Sequence, residues 1–456
     1  MKTTYCIINT IAIAILSFFF VGCGKEWMEV KVDQSQAVAT TFEDYRAILD
    51  NEIFMYSPSL TEVAADYHLI AETNWQRVKN SAQGNAYTWS ENVPYKNLTD
   101  WDIPYSCILH ANLVLDGIER LYGKGNDLKV NQLKGEALFQ RGKFHYYIAM
   151  TFAPPFTKSS SNQTLGIPLK LKSDIENPTI RSSAKETYDQ LISDIKISEN
   201  LLPDQSNYIT RPTKIAAVGM LSRIYMAMEE YDSAFLYADR YLKINNELID
   251  YNDIPPAQLF VGTNKEIGYF SLLLGASSIT TYLLPASFYS EFDVNDLRKQ
   301  VFFREGAGQY IFKGSYSNTT TDKFSGIATD EMILNRSECY ARKNDINAAM
   351  NDLNSLIRTR YLKINGTSTF VDYVASNQTD ALKIILKERK KQLLLRNVRW
   401  SDLRRLNRDS RFAESIIRSI GGNTYILEPN SYKYTFPIPV EIITQSGIEQ
   451  NGGWKN

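Results

Sequence analysis

Histidine and cysteine are scarce in this chain of 456 residues, which contains three His and four Cys. The three histidines, His68, His110 and His145, lie far apart in the sequence, so a histidine-based metal site has little raw material. So few cysteines exclude the disulfide framework that holds many small secreted domains together. We therefore expect a protein without a bound metal, whose length allows it to bury a large hydrophobic core.

An excess of one charge sign is also missing. The chain has 50 Lys and Arg against 51 Asp and Glu, for a net charge of −1. Proteins that bind nucleic acids neutralise phosphates with a basic excess, so no nucleic-acid partner is expected. The same balance argues against a polybasic clamp on a membrane surface.

The common catalytic signatures are absent from the sequence. It contains no G-x-x-x-x-G-K-[ST], no H-E-x-x-H and no G-x-S-x-G. The Gly306-Ala307-Gly308 segment lacks a third glycine and a following helix, so we interpret it as a turn. With 51 acidic residues some pair always lies at catalytic distance, but nothing marks one pair as special. We predict no catalytic residue and no cofactor, and a pair of carboxylates for glycoside hydrolysis remains the alternative.

The N-terminus has the features of an export signal. Lys2 is followed by an apolar run from Ile7 to Val21, which has the length of a signal peptide rather than of a membrane span. The run ends in Val21-Gly22-Cys23, which resembles a bacterial lipobox. This predicts a signal peptide over residues 1–22 and a lipid anchor on Cys23, with diacylglycerol on the thiol and an acyl chain such as palmitate on the new amine. An uncleaved N-terminal anchor with an incidental cysteine is the alternative.

Helical periodicity dominates the rest of the chain, which predicts a mainly α fold. Pro104 suits a first helical turn, while Pro154, Pro155 and Pro203 end helices. The predicted helices cover about residues 104–122, 130–151, 184–202, 213–228, 232–244, 330–342, 345–361 and 380–396.

Two of the predicted helix pairs repeat each other at an offset of 115 residues. An aromatic residue, an acidic residue and a small alanine recur at the spacing of a tetratricopeptide unit, in which the aromatic ring fills the space between paired helices. A chance likeness between two amphipathic hairpins is the alternative. The matched pairs are Tyr225 with Tyr340, Glu230 with Asp345, and Ala234 with Ala349.

Cys107 and Cys339 are the cysteines that remain well beyond the N-terminal segment. An oxidising compartment would allow one disulfide between them. Both lie in apolar helical patterns, however, so we predict two buried thiols.

Two stretches between the helices are rich in aromatic residues, Asn, Ser, Gly and Thr. They cover residues 52–103 and 246–328, and short alternating runs in the second predict a few hairpins. We predict one domain over residues 23–456, in which helix pairs at about 104–245 and 329–410 form a scaffold. Long irregular loops on such a scaffold are the usual place for binding groups.

Landmarks along nearly the whole chain are similar to those of the SusD/RagB outer-membrane lipoproteins of Bacteroidetes. The sequence departs from the family at Gln392, where an acid is usual, and at Arg396-Asn397, where Glu-Gly is usual. The landmarks are the lipobox, the helix 108–115, Gly135 to Arg141, Phe152-Ala153-Pro154-Pro155, Gly166-Ile167-Pro168-Leu169, Tyr188 to Pro203, Arg211 to Ala217, Glu388-Arg389, Arg399 to Arg405, Phe436-Pro437-Ile438-Pro439 and Gln450 to Trp454.

The resemblance implies a function and a location. SusD-like proteins lie on the outer face of the outer membrane, anchored in its lipid, here through Cys23. They close as a hinged lid over a TonB-dependent transporter of the SusC type and capture oligosaccharides or, in some members, peptides. They are binding proteins and not enzymes, so the resemblance implies no enzymatic activity. Their helical units face the transporter and their aromatic loops face the ligand.

Glycan chemistry selects candidate contact residues in the loops. Sugars offer flat C–H faces that match aromatic rings, and hydroxyls that match polar side chains. We expect Trp75 to be a stacking platform, with Asp66 and Arg77 as hydrogen-bonding partners and Tyr67 at the rim. Core packing is the alternative role for Trp75. Two residues of the second loop region complete the predicted ligand site, Tyr282 and Tyr289.

Four charged residues in the last predicted helices could form either an internal ion-pair network or a ligand site. Glu388, Arg389, Arg399 and Asp402 lie in a partly apolar helical context, which favours an internal ion-pair network over a site for a substrate carboxylate.

Two other classes of function compete with nutrient import. One is a lipid-anchored enzyme that degrades glycans or peptides. The other is a tetratricopeptide-like scaffold in envelope assembly, without a small ligand. Turnover by the purified protein would favour the first, and assembly machinery as the main partner would favour the second.

Overall fold

Helices dominate the computed structural model, which describes residues 39–123, 127–174, 176, 178–255, 264–275, 283–306, 309–313, 316–319 and 321–454. The mainly α fold class is therefore confirmed. Residues Phe42–Asn456 form one compact unit. The predicted signal peptide, Cys23 and Tyr282 lie outside the described residues.

No helix in the described part of the chain is both long and apolar enough to cross a bilayer.

Within the described part of the chain there are sixteen α-helices. They are α1 (Phe42–Leu49), α2 (Leu60–Ala64), α3 (Glu72–Val78), α4 (Ala82–Thr88), α5 (Thr99–Tyr122), α6 (Leu128–Phe152), α7 (Ala184–Leu201), α8 (Lys214–Ala227), α9 (Tyr231–Ile244), α10 (Ala286–Ser290), α11 (Arg298–Phe302), α12 (Thr329–Arg342), α13 (Ile346–Arg358), α14 (Gln378–Gln392), α15 (Arg399–Leu406) and α16 (Val440–Ser446).

The strands are short and form small separate sheets. They are β1 (Tyr56–Ser57), β2 (Leu165–Pro168), β3 (Arg181–Ser183), β4 (Ile267–Tyr269), β5 (Leu272–Leu273), β6 (Leu283–Leu284), β7 (Phe303–Gly306), β8 (Gln309–Phe312), β9 (Lys323–Phe324), β10 (Ile327–Ala328), β11 (Lys363–Ile364), β12 (Thr367–Ser368), β13 (Ile416–Ile420) and β14 (Asn423–Leu427).

Local capping explains where two of the long helices begin. The Asp127 carboxylate accepts from the N–H of Val130 at the start of α6, and Ser183 and Glu186 form a reciprocal capping box at the start of α7. Helix α5 begins at Thr99, earlier than predicted, so Pro104 lies inside the helix and not in its first turn.

The predicted helix pairs are present and equivalent. Helices α8 and α9 form one hairpin, and α12 and α13 form the other. Glu229 and Asn344, which are 115 residues apart, both turn the chain with positive φ, of 60° and 64°. Ala234 and Ala349 are both fully buried, as close helix packing requires.

The last long helix is shorter than predicted. Helix α14 ends at Gln392, because Leu395 and Asn397 have positive φ values of 57° and 58°. The backbone N–H of Leu395 donates to the Tyr67 hydroxyl at 3.1 Å, and that of Asn397 to Glu62 at 2.9 Å. Contacts with a distant segment therefore hold a reversal that helical periodicity alone does not indicate.

The predicted irregular stretches contain more regular structure than expected. Residues 52–103 include α2, α3, α4 and the start of α5, while residues 246–328 hold seven short strands within the described part. The two stretches are joined by a small sheet, in which β5 pairs in parallel with β1 and antiparallel with β9. The predicted hairpins are represented by β7 and β8.

The cysteines and the charged cluster behave as the sequence predicts. Cys107 and Cys339 are free and buried, and burial raises the pKa of each thiol to about 12. Arg389 pairs with Asp402 at 2.8 Å in the buried interior, so an internal ion-pair network is confirmed there. Gln392 and Arg396 stand at positions where the family usually has other residues. Both contact the Asp330 carboxylate, at 3.0 and 3.1 Å.

Candidate ligand-binding surface

Asp66 lies between two cations of the C-terminal helices. Its carboxylate accepts two hydrogen bonds from the Arg399 guanidinium, both at 2.8 Å, and one from Lys390 at 2.8 Å. Burial alone would raise the pKa of Asp66, but Arg399 and Lys390 outweigh it and hold that pKa well below its usual range. Both carboxylate oxygens are thus occupied by protein groups, and ligand contact by Asp66 stays a prediction.

Tyr67 is also engaged within the protein. Its ring is 2% exposed, and its hydroxyl donates to Glu62 while accepting from the N–H of Leu395. Burial raises the pKa of Glu62 to about 8. These contacts connect the Glu62–Tyr67 segment to the reversal after α14, so in this conformation Tyr67 contributes to packing, and its place at a ligand rim remains untested.

Trp75 packs beneath a hairpin from the C-terminal part of the chain. The indole is 4% exposed and its ring centre lies 6.1 Å from that of Tyr87. A Cβ placed on Gly421, between β13 and β14, would lie 2.6 Å from the indole nitrogen, so only glycine allows this close approach. This arrangement corresponds to core packing, which is the alternative to ligand stacking for Trp75. Arg77, on the same helix, is exposed.

Tyr289 lies at the surface, in a different environment. Its ring stacks on that of Tyr310 with centroids 3.6 Å apart and planes 8° from parallel. Both tyrosines are half-buried, and the Lys299 ammonium lies 5.0 Å from the centre of the Tyr289 ring. A stacked pair with partial exposure is a suitable platform for a flat apolar ligand face.

Strand register explains how this pair is presented. Glu305 on β7 lies directly opposite Tyr310 on β8, so the two side chains share one face of the hairpin. Further along that face Phe303 and Phe312 are opposite each other and buried. The buried end fixes the hairpin, and the other end leaves Glu305 exposed beside the stacked rings.

We call Tyr289, Tyr310, Lys299 and Glu305 the tyrosine surface. Burial, together with the neighbouring Tyr310 and Glu305, raises the pKa of the Tyr289 hydroxyl, so it is a neutral donor at physiological pH. The surface combines two aromatic rings, an ammonium donor and a carboxylate acceptor, which is the set of groups that a sugar needs.

The structure brings the two predicted loop regions to the same sheet. The N–H of Leu69 donates to the carbonyl of Leu283 at 2.7 Å, which extends the sheet of β6, β8 and β7. Leu69 is 40% exposed there. Tyr289 is a predicted site residue, whereas Tyr310, Glu305 and Lys299 were not predicted. The short runs that predict hairpins in the second stretch were the available signal for Tyr310 and Glu305, because residues opposite each other in a hairpin share one face.

Among the described residues, no group of His, Cys, Asp and Glu has the arrangement of a metal site.

Two family models match the chain. One, a SusD-like family described as starch-binding and associating with the outer membrane, matches residues 26–226, and the SusD family model matches residues 310–454. A search of curated proteins gives no match.

Solved structures share the fold over nearly their full lengths. A SusD superfamily protein from Bacteroides vulgatus is 19% identical with a TM-score of 0.73, covering 92% of this chain and 100% of its own. A SusD superfamily protein from Bacteroides thetaiotaomicron is 22% identical with a TM-score of 0.72, covering 90% and 99%. A SusD-like carbohydrate-binding protein from Bacteroides vulgatus is 18% identical with a TM-score of 0.65, covering 89% and 96%.

At these identities the structural matches show the shared fold, and the family models match both the N-terminal and the C-terminal parts of the sequence. The chain belongs to the SusD/RagB family.

Proposed function

We propose that this protein is a cell-surface lipoprotein that binds oligosaccharides on the tyrosine surface and delivers them unchanged to a TonB-dependent transporter of the SusC type. The stacked pair of Tyr289 and Tyr310 is the observation that carries the binding proposal. The rings would pack against the C–H face of a sugar, while Lys299 and Glu305 would hydrogen-bond to its hydroxyls.

Membership of the family supports a saccharide as the ligand. The matching N-terminal model is described as starch-binding, and one solved structure with this fold is described as a carbohydrate-binding protein. We include Arg77, which is exposed on α3, and Tyr282 as further contact residues of the proposed site.

Binding of linear glucose oligosaccharides, measured by isothermal titration calorimetry, tests the proposed surface. We expect Tyr310→Ala to weaken binding about tenfold, because stacking on one ring contributes about 0.5–1.5 kcal/mol beyond the buried area. Tyr122→Ala is the matched control, since Tyr122 is 39% exposed at the end of α5 and lies outside the surface. Equal affinities of the two variants would contradict the proposed site, and peptide binding without glycan binding would contradict the ligand class.

The anchor and the partner form a second part of the proposal. Acylation of Cys23 would hold the protein in the outer membrane, facing the exterior, as a lid on the transporter. Cys23→Ala should release the protein from the membrane fraction. Affinity purification of the anchored protein should recover a large barrel transporter. Recovery of envelope-assembly proteins in its place would favour the scaffold alternative.

The proposed function involves no bond cleavage. Incubation of the purified protein with the oligosaccharides that it binds should leave their chain length unchanged, as measured by chromatography. Shortened products would favour the lipid-anchored enzyme.

A further inference from the structure

A cavity of about 410 Å³ lies between the end of α6 and the segments that follow α15. Its volume is within the range of small-molecule sites in proteins. The lining residues carry amides, hydroxyls and two guanidinium groups, and no described residue of the lining carries a carboxylate. They are Pro154, Pro155, Thr157, Thr164, Arg404, Asn407, Arg408, Asn430, Ser431, Tyr432, Tyr434, Thr435, Asn451 and Gly452.

Arg404 is the unusual member of this lining. It is 3% exposed, and its terminal nitrogens donate to the backbone carbonyls of Met150 and Ala153. Its Nε has no hydrogen-bond partner, and no carboxylate in the described part of the chain forms an ion pair with it. Burial without a counter-charge lowers the pKa of Arg404 to about 10. A buried cation in this state favours an anion nearby.

The other charged lining residue is already partly neutralised. Arg408 pairs with Glu229 at 2.8 Å and donates to the carbonyl of Phe156 at 2.6 Å. Arg404 is therefore the charged lining residue that forms no ion pair with a carboxylate in the described part of the chain.

The mouth of the cavity has an aromatic ring. Tyr432 is 40% exposed, and its ring lies edge-on to that of Trp454 at 5.4 Å. Its hydroxyl donates to Glu91 at 2.6 Å, which fixes the ring in place. A ring beside a cationic cavity can contact the apolar face of a sugar whose charged group lies deeper.

We propose that this cavity, which shares no residue with the tyrosine surface, binds the carboxylate of an acidic sugar. Arg404 supplies the positive charge for the carboxylate, Asn407 and Asn430 supply amide donors and acceptors for the hydroxyls, and Tyr432 packs against the sugar ring. Guanidinium groups match carboxylates in shape and charge, which favours Arg404 for this role. That the ligand is a saccharide rests on the function proposed above.

Gly452 allows a test that leaves the packing intact. A Cβ at this position meets no atom within 4 Å, and the residue is exposed at the cavity wall. Gly452→Asp adds a negative charge there, and Gly452→Asn adds the same volume without charge. Calorimetry with D-glucuronic acid should show at least about tenfold weaker binding for Gly452→Asp than for Gly452→Asn, because like charges repel in a cavity partly shielded from water.

Further ligands separate the sources of binding. Methyl glucoside, which lacks the carboxylate, should not bind to the cavity, and acetate and sulfate should bind much more weakly than glucuronic acid. Acetate or sulfate binding as tightly as glucuronic acid would reveal a general anion site and overturn the proposal. Absence of glucuronic acid binding to the unmodified protein, or equal binding by the two Gly452 variants, would also overturn it.

Two more variants keep this inference distinct from the proposed function. Arg404→Gln should lose glucuronic acid binding and keep the oligosaccharide affinity of the tyrosine surface. The retained oligosaccharide affinity would also show that this variant is folded. Tyr310→Ala should retain glucuronic acid binding. Loss of glucuronic acid binding in Tyr310→Ala, with no effect of Gly452→Asp, would place the acidic sugar on the tyrosine surface and refute the cavity.

Discussion

Ser222 and Ser337, which lie 115 residues apart, make the same hydrogen bond. The hydroxyl of Ser222 donates to the carbonyl of Ala234 at 3.1 Å, and that of Ser337 donates to the carbonyl of Ala349 at 2.8 Å. Each bond joins the two helices of one hairpin at a fully buried alanine. The repeat seen in the sequence is therefore a repeat of side-chain contacts as well as of helices.

The alanines at these contacts should not accept larger side chains. We expect Ala234→Leu and Ala349→Leu to lower the free energy of unfolding by about 1–3 kcal/mol each, because both positions are fully buried between helices. Urea denaturation followed by circular dichroism measures this. Ala348→Leu is the control, since Ala348 is only half-buried, and an equal effect there would contradict the packing argument.

Trp75 and Arg77 lie on the same helix but should behave differently when replaced. Trp75→Ala should lower the free energy of unfolding by about 3–5 kcal/mol, because it removes a buried indole beneath Gly421. Arg77→Ala should change it by less than about 0.5 kcal/mol, because the side chain is exposed. Trp75→Phe separates the two roles of the indole. Normal stability with reduced oligosaccharide affinity would favour the predicted stacking role.

Asp66 should contribute strongly to stability. We expect Asp66→Asn to cost about 3–5 kcal/mol, because Arg399 would be left buried without its counter-charge. The pKa of Asp66 is lowered in the folded state, so its contribution is present above about pH 4, the unfolded value, and is lost as pH falls below it.

A surface ion pair gives the matched control for Asp66. Asp372 pairs with Arg358 at 2.5 Å, and the two side chains are 51% and 48% exposed. Asp372→Asn should therefore cost at most about 1 kcal/mol in chemical denaturation. A similar cost for both variants would mean that the buried pair is no more important than the exposed one.

His145 should make the protein sensitive to acid. It is fully buried in α6, neither ring nitrogen has a hydrogen-bond partner, and burial and the nearby Arg141 lower its pKa to about 3. Between pH 6.5, the unfolded value, and pH 3 the unfolded chain binds the extra proton. Stability therefore falls as pH decreases through this range, by about 5 kcal/mol at most.

Replacement of His145 tests this dependence. His145→Phe should show a smaller loss of stability than the unmodified protein between pH 6.5 and 4, as measured by urea denaturation at each pH. His110→Phe is the control, because His110 is less buried than His145 although burial lowers its pKa as well. This variant should have a smaller effect on the pH dependence of stability. An unchanged pH profile for His145→Phe would show that other groups control acid sensitivity.

Much of the scaffold could be predicted from the sequence. The helix pairs, the repeat, the buried thiols and the internal ion pair of Arg389 with Asp402 all follow from periodicity and local composition. Those signals are local because a helix forms its hydrogen bonds within itself and shows its buried face every three or four residues.

The candidate site was much less predictable. Trp75 and Tyr289 are both aromatic residues in polar surroundings, yet one is 4% exposed and the other lies half-exposed in a stacked pair. Neither sequence context indicates which of the two is covered. The difference comes from Gly421, which lies against Trp75, and from Tyr310, which leaves part of its partner open.

The long helices, the pairing of α8 with α9 and of α12 with α13, and the family resemblance could be predicted from the sequence, because they depend on spacing within short segments. The rings and charges that remain available to a ligand could be identified only in the folded chain. Burial depends on contacts between residues far apart in the chain, such as Asp66 with Arg399 and Leu69 with Leu283, and no local pattern encodes which distant residue will cover a given side chain.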